Sequence, residues 1–227
     1  MKKATNILLG LAAVLLLTGV YFAFFVAPIA IDDNNNLLIH QKILYFHVPI
    51  AETSLIFLIL GAVFGVLFLT KKERKYDFLS LASVELGFVF GLLVEFSGVM
   101  WDKAAWGVWW TWEPRLLTYL ILMLMYAGYF VLRSSIGEES AKARLGAVYS
   151  VVAAITVPIT FLSIRIYNSV HPTIFTREGS GLEGPMLAAF LISMFGMAAF
   201  GIALMLVRYQ VQVAREELDF IKNELGG

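Results

Sequence analysis

Six apolar runs divide this chain, at about 7–31, 48–70, 78–100, 116–132, 145–164 and 185–207. Each is close to the roughly 20 residues that an α-helix needs to cross the hydrocarbon core of a bilayer. Backbone in hydrocarbon must satisfy its own hydrogen bonds, so these runs are helices rather than strands. Residues 59% hydrophobic and 15% charged, with a mean hydropathy of +0.79, fit a polytopic membrane protein and not a soluble domain. The expected fold class is therefore an all-α integral membrane protein, a six-transmembrane-helix bundle forming one domain over 1–227. The first run follows Lys2 and Lys3 in the manner of a signal peptide. Its apolar core is too long for that, and no clear small-x-small cleavage site follows, so it reads as a membrane anchor.

Six spans put both termini on one side, and Lys and Arg choose the side. Twelve of the seventeen fall at the N-terminus, in the second and fourth loops, and in the tail; Lys42, Lys103, Arg115, Arg165 and Arg177 fall on the opposite side. Both termini are expected in the cytoplasm, with the first, third and fifth loops outward. The zero net charge gives no reason to expect nucleic acid. The absence of cysteine excludes disulfides, iron–sulfur ligation and thiol chemistry. The three histidines have no carboxylates at metal-ligand spacing. The tail, 208–227, extends an apolar stripe that begins at Val207 and runs through Val211, Ala214, Leu218, Ile221 and Leu225. This amphipathic helix could dock on a cytoplasmic partner or lie on the bundle's own loops.

All five tryptophans lie in one outer loop, 101–115, which reads WDKAAWGVWWTWEPR. An interfacial aromatic belt would spread Trp and Tyr over both membrane faces. Concentration in one loop favours a shelf for a flat, apolar, π-rich ligand or partner.

His47 and His171 share the outer face with that loop. Each sits near a proline, Pro49 and Pro172, at a helix boundary where a side chain can be aimed. Imidazole is a common axial ligand of haem iron, and two histidines flanking an aromatic shelf could bind one iron from both faces. Against this stands the plainer role of a helix-capping or carbonyl-bonding histidine. Arg115 and Lys42 are candidates for the haem propionates, although Arg115 could equally pair with Glu113 or Asp102. His40 reads as an ordinary loop residue. Glu52, Glu85 and Glu95 lie within spans and are best explained by interhelical hydrogen bonds.

The stretch Trp106-Gly107-Val108-Trp109-Trp110-Thr111-Trp112-Glu113-Pro114-Arg115-Leu116 resembles the WGxWWxWDxRL signature of haem-handling membrane proteins, the WWD-motif family. Tyr45-Phe46-His47-Val48-Pro49 and Tyr167-Asn168-Ser169-Val170-His171 are similar to two further outer-loop motifs of one branch, the haem exporter protein C family of cytochrome c maturation system I. The resemblance covers nearly the whole chain. Glu113 departs from it, standing where the family usually has Asp. The charge is kept on a side chain one methylene longer.

The resemblance implies a haem-handling protein of the bacterial inner membrane, active on the periplasmic face. By position, His47 and His171 would be axial ligands of the iron of a transiently bound haem b. Trp106, Trp109, Trp110 and Trp112 would form the haem platform. The implied partners are a membrane-tethered periplasmic haem chaperone that receives the haem, an ABC ATPase with its membrane subunit, and a small single-span membrane protein. Such a chain delivers haem rather than acting as a clear stand-alone enzyme. Two rivals remain. A cytochrome c synthetase of the other maturation pathway would carry further histidines inside its spans. A non-haem structural subunit of an ABC exporter would use the Trp loop to bind protein.

Overall fold

The fold is described from a computed structural model covering residues 2–31, 34–166, 175–176, 179–182 and 184–225. It is mainly helical; the described residues also hold a two-residue antiparallel pairing of Phe175–Thr176 with Gly179–Ser180 and an isolated antiparallel bridge between Ile31 and Leu37. Among the described residues, six helical segments are long and apolar enough to cross a membrane. α1 (Lys2–Tyr21) runs on into a π-helical turn, Phe22–Val26. α2 (Leu44–Lys71) is led in by a 3₁₀ turn, Ile39–Ile43. α3 (Arg74–Trp106) and α4 (Pro114–Ser135) follow. α5 (Glu139–Ala153) and α6 (Thr156–Ile166) together make the fifth span, and α7 (Pro185–Leu225) is the sixth.

The helices outrun the apolar runs because a helix ends where its caps and breakers lie, not where hydropathy falls. α1 already begins at Lys2 and its π turn ends at Val26, whereas the apolar run suggests 7–31. α3 continues through Trp101 and Asp102, shortening the Trp loop to residues 107–113. It stops at Gly107, whose φ of 76° lies in the left-handed region where glycine is the favoured residue. The fifth span is broken rather than continuous. Pro158 has no N–H to offer the Ala154 carbonyl, and its ring crowds that turn. The Ala154 carbonyl instead accepts from Val157, and Thr156 Oγ1 donates to the Ala153 carbonyl. α5 is capped by Glu138, which accepts from the Ser140 and Ala141 amides at 2.8 and 2.7 Å. Hydrogen bonds from the Ser140 side chain and these amides hold the Glu138 carboxyl below its usual range. α7 does not stop at the apolar boundary: 208–225 continues it as helix.

α2 packs along α3, and α1 along α7. Close packing rests on glycine: a β-carbon at Gly87 would lie 2.6 Å from Leu58, and one at Gly61 would lie 2.5 Å from Val84. Small residues let helices approach where no hydrophobic effect drives them together. Ser54 and Ser80 donate across the same seam to the Gly87 and Gly61 carbonyls, both at 2.7 Å. Buried Leu55, Leu58, Val84, Leu122, Tyr126 and Tyr129 form the main cluster.

One end of the bundle is held by charge. Asp77 on α3 accepts from Arg133 of α4 at 2.8 Å, and Arg74 reaches Asp77, Glu139 and Glu216 at 3.1 Å each. The α7 extension thus lies against the bundle at Arg74 and, through Gln210, at Thr5 of α1. Leu218, Ile221 and Leu225 of its stripe stay exposed. Glu85 is tied between helices, accepting two hydrogen bonds from Arg208 at 2.5 and 2.7 Å.

Candidate functional site

The end away from that charge network holds a cavity of about 290 Å³ between the start of α2, the last turns of α3 and the start of α4. Its wall is mainly apolar, with Leu44, Val48, Val94, Val99 and Leu116. Set into this wall are His47, Glu95, Asp102, Trp110 and Arg115, with His40 also lining the cavity.

His47 is placed by the first turn of α2. Its Nδ1 lies 2.9 Å from Ser97 Oγ on α3. Ser97 itself donates to the Leu93 carbonyl at 2.7 Å, one turn back on its own helix. Gly98, next along α3, lies beside the ring: a β-carbon there would stand 3.4 Å from His47 Cε1, an ordinary contact. Arg115 enters from the first turn of α4, which begins with Pro114, a residue suited to a first helical position. Its guanidinium lies in the electrostatic field of Glu52, Tyr119 and Glu113.

The tryptophans do not form one flat shelf. Trp101 and Trp106, on the last turns of α3, meet edge to face with centroids 4.8 Å apart. Trp110 and Trp112 meet the same way at 5.8 Å. Of the five, Trp101 and Trp110 line the cavity, while Trp109 and Trp112 stand exposed beside it. Lys103 lies over the Trp109 ring at 5.6 Å and donates to the Gly107 carbonyl, which pins the loop back on α3.

The structure does not bring Lys42 to this site. Its buried ammonium donates to the Ala23, Ala27 and Pro28 carbonyls at 2.7, 2.5 and 3.5 Å. The π turn leaves these carbonyls without helical partners, and a cation at a helix C-terminus is the natural cap. His171 and the motif around it lie outside the described residues. His40, read from the sequence as an ordinary loop residue, lines the cavity and meets Trp101 edge to face at 6.4 Å. A spacing argument could have found it. The 3₁₀ turn and first turn of α2 carry residue 40 to within about 40° of the direction of residue 47.

The donor set suits an iron porphyrin. The wall is apolar, one imidazole is anchored through a single nitrogen, and one guanidinium suits a carboxylate. Three buried polar atoms of the cavity wall, Trp110 Nε1, Asp102 Oδ2 and Glu95 Oε1, have no hydrogen-bond partner among the described residues. A bound group with both acceptor and donor atoms would satisfy them.

Fold and site together define a six-span membrane protein with an aromatic, histidine-bearing cavity at one end of its bundle. A model of the family described as "Heme exporter protein C" matches residues 1–223. The chain belongs to that family. It is 27% identical over 217 residues to Heme exporter protein C of Haemophilus influenzae, covering 95% of this chain and 87% of that one. Heme exporter protein C of Escherichia coli K12 is 27% identical over 201 residues, 88% of this chain and 80% of the relative. A "Putative cytochrome c biosynthesis ccmC-like mitochondrial protein" of Arabidopsis thaliana is 30% identical over 191 residues, 84% and 71% of the two chains.

Proposed function

We propose that this chain is a membrane haem-handling subunit of the cytochrome c maturation machinery. It binds haem b transiently at the outward, periplasmic end of its bundle and passes it to a membrane-tethered haem chaperone. One observation carries the reading: the His47 ring, fixed through Nδ1, stands in the wall of an apolar cavity that also holds Arg115 and Trp110.

In this reading the Nε2 of His47 is one axial ligand and His171 of the fifth loop is the other. Arg115 takes a propionate. Lys42 is left out of that role, because three backbone carbonyls already occupy its ammonium. Trp110 packs at the porphyrin edge. Trp109 and Trp112, exposed beside the cavity, cover the porphyrin and meet the approaching chaperone. An ABC ATPase, its membrane subunit and a small single-span protein complete the assembly, with the exposed stripe Leu218, Ile221 and Leu225 facing the cytoplasmic partners. Haem iron supplies the affinity for imidazole; the chain itself binds, orients and shields the porphyrin.

The test is an absorption titration of the purified chain with haem. Saturable appearance of a Soret band with the sharp α and β bands of a six-coordinate low-spin iron supports the reading. Purified protein that takes up haem no better than a detergent blank would instead leave a structural subunit whose Trp loop binds protein.

A further inference from the structure

We infer that Ser97 is the positioning residue for His47. Its hydroxyl selects the imidazole tautomer that leaves Nε2 free for iron. The inference rests on the haem-ligand reading of His47 and goes further in assigning α3 a part in ligation.

A hydroxyl has one proton and two lone pairs. The Ser97 proton points at the Leu93 carbonyl at 2.7 Å, with the Val94 carbonyl at 3.2 Å on the same side. The oxygen therefore meets His47 with a lone pair. Across 2.9 Å, that lone pair accepts from a protonated Nδ1. In neutral imidazole one ring nitrogen carries the proton and the other is an acceptor. Protonation at Nδ1 leaves the Nε2 lone pair for a metal. Metal-bound histidines are commonly fixed by such an acceptor on the far nitrogen, which also raises the basicity of the ligand. The arrangement joins α2, which carries the ligand, to α3, which continues into the Trp loop. Movement of one helix against the other would loosen the ligand, as a transient carrier requires.

The experiment compares Ser97→Ala, Ser97→Thr and Ser97→Val with wild type and His47→Ala, all purified as the full chain with haem added. It reads the low-spin fraction, haem dissociation and the midpoint potential of the bound haem. Ser97→Ala and Ser97→Val should weaken haem retention about tenfold, the lower end of what losing such a partner costs in metal affinity. Both should also raise the midpoint potential, because a less basic imidazole favours the ferric state less. Ser97→Thr keeps the hydroxyl and should behave as wild type. Thr and Val have nearly the same shape, so their difference isolates the hydroxyl from packing even if Ser97→Ala is poorly inserted. Equal potentials and retention in the Thr and Val variants, with His47→Ala clearly altered, would overturn the role of Ser97 alone. A His47→Ala variant identical to wild type would instead overturn the ligand reading beneath it.

Discussion

His40 and Trp101 meet edge to face at 6.4 Å in the lining of the cavity, joining the 3₁₀ turn before α2 to the end of α3. Residues 61 apart in sequence thereby share one wall of the site. This changes the expectation for His40. His40→Ala should weaken haem retention by about two- to tenfold, given the ~0.5–1.5 kcal/mol of an aromatic pair. The measurement is haem dissociation from purified protein, and wild-type kinetics would return His40 to an ordinary loop role.

The tryptophans should separate by position. Trp110→Ala, in the cavity wall, should lower haem binding. Trp109→Ala with Trp112→Ala, both exposed, should lower binding less, by about fivefold for two contact pairs at the ~0.5 kcal/mol end of the aromatic range. That double variant should slow transfer to the chaperone. Binding and transfer assays on the same preparations check the split. Equal loss of binding in both variants would restore a single shelf.

Arg133 and Asp77 lie buried at the opposite end, paired at 2.8 Å. Stranding one charge of a buried pair costs about 3–5 kcal/mol, and the half-exposed Arg74, 3.1 Å from Asp77, offsets only part of that when Arg133 is removed. Arg133→Met should lower thermal stability in detergent sharply, and adding Asp77→Asn should recover part of the loss. Additive losses in the double variant would show that the pairing itself is not what matters.

Sidedness rests on the distribution of Lys and Arg, and the lack of cysteine makes it simple to test. Val108 in the Trp loop and Ser135 at the end of α4 are both exposed. Val108→Cys should react with a membrane-impermeant maleimide added to spheroplasts. Ser135→Cys should react only after permeabilisation. The reverse pattern would invert the proposed orientation and move the cavity to the cytoplasmic end.

The six spans were legible because hydrophobic length is a local property, and bilayer thickness sets its scale. Their ends were not. Gly107 stops α3 well past the apolar run, Pro158 breaks the fifth span, and α7 runs on to Leu225 because helix propensity persists beyond the lipid. Within the site, His47, Trp110 and Arg115 could be singled out by type and by motif. Ser97 could not, since its part depends on how α2 and α3 lie together, and His40 was legible only through its helical spacing from His47. Lys42 shows the same limit from the other side: a cation near the site in sequence is occupied by a π turn that hydropathy does not reveal.

In the proposed site His47 and His171 hold one iron from opposite faces. Electron paramagnetic resonance of the ferric haem complex tests it most directly, on wild type, His47→Ala and His171→Ala. Wild type should give a low-spin, two-imidazole signal. Each variant should give a high-spin signal that returns to low spin when free imidazole is added. A low-spin signal unchanged in either variant would contradict it.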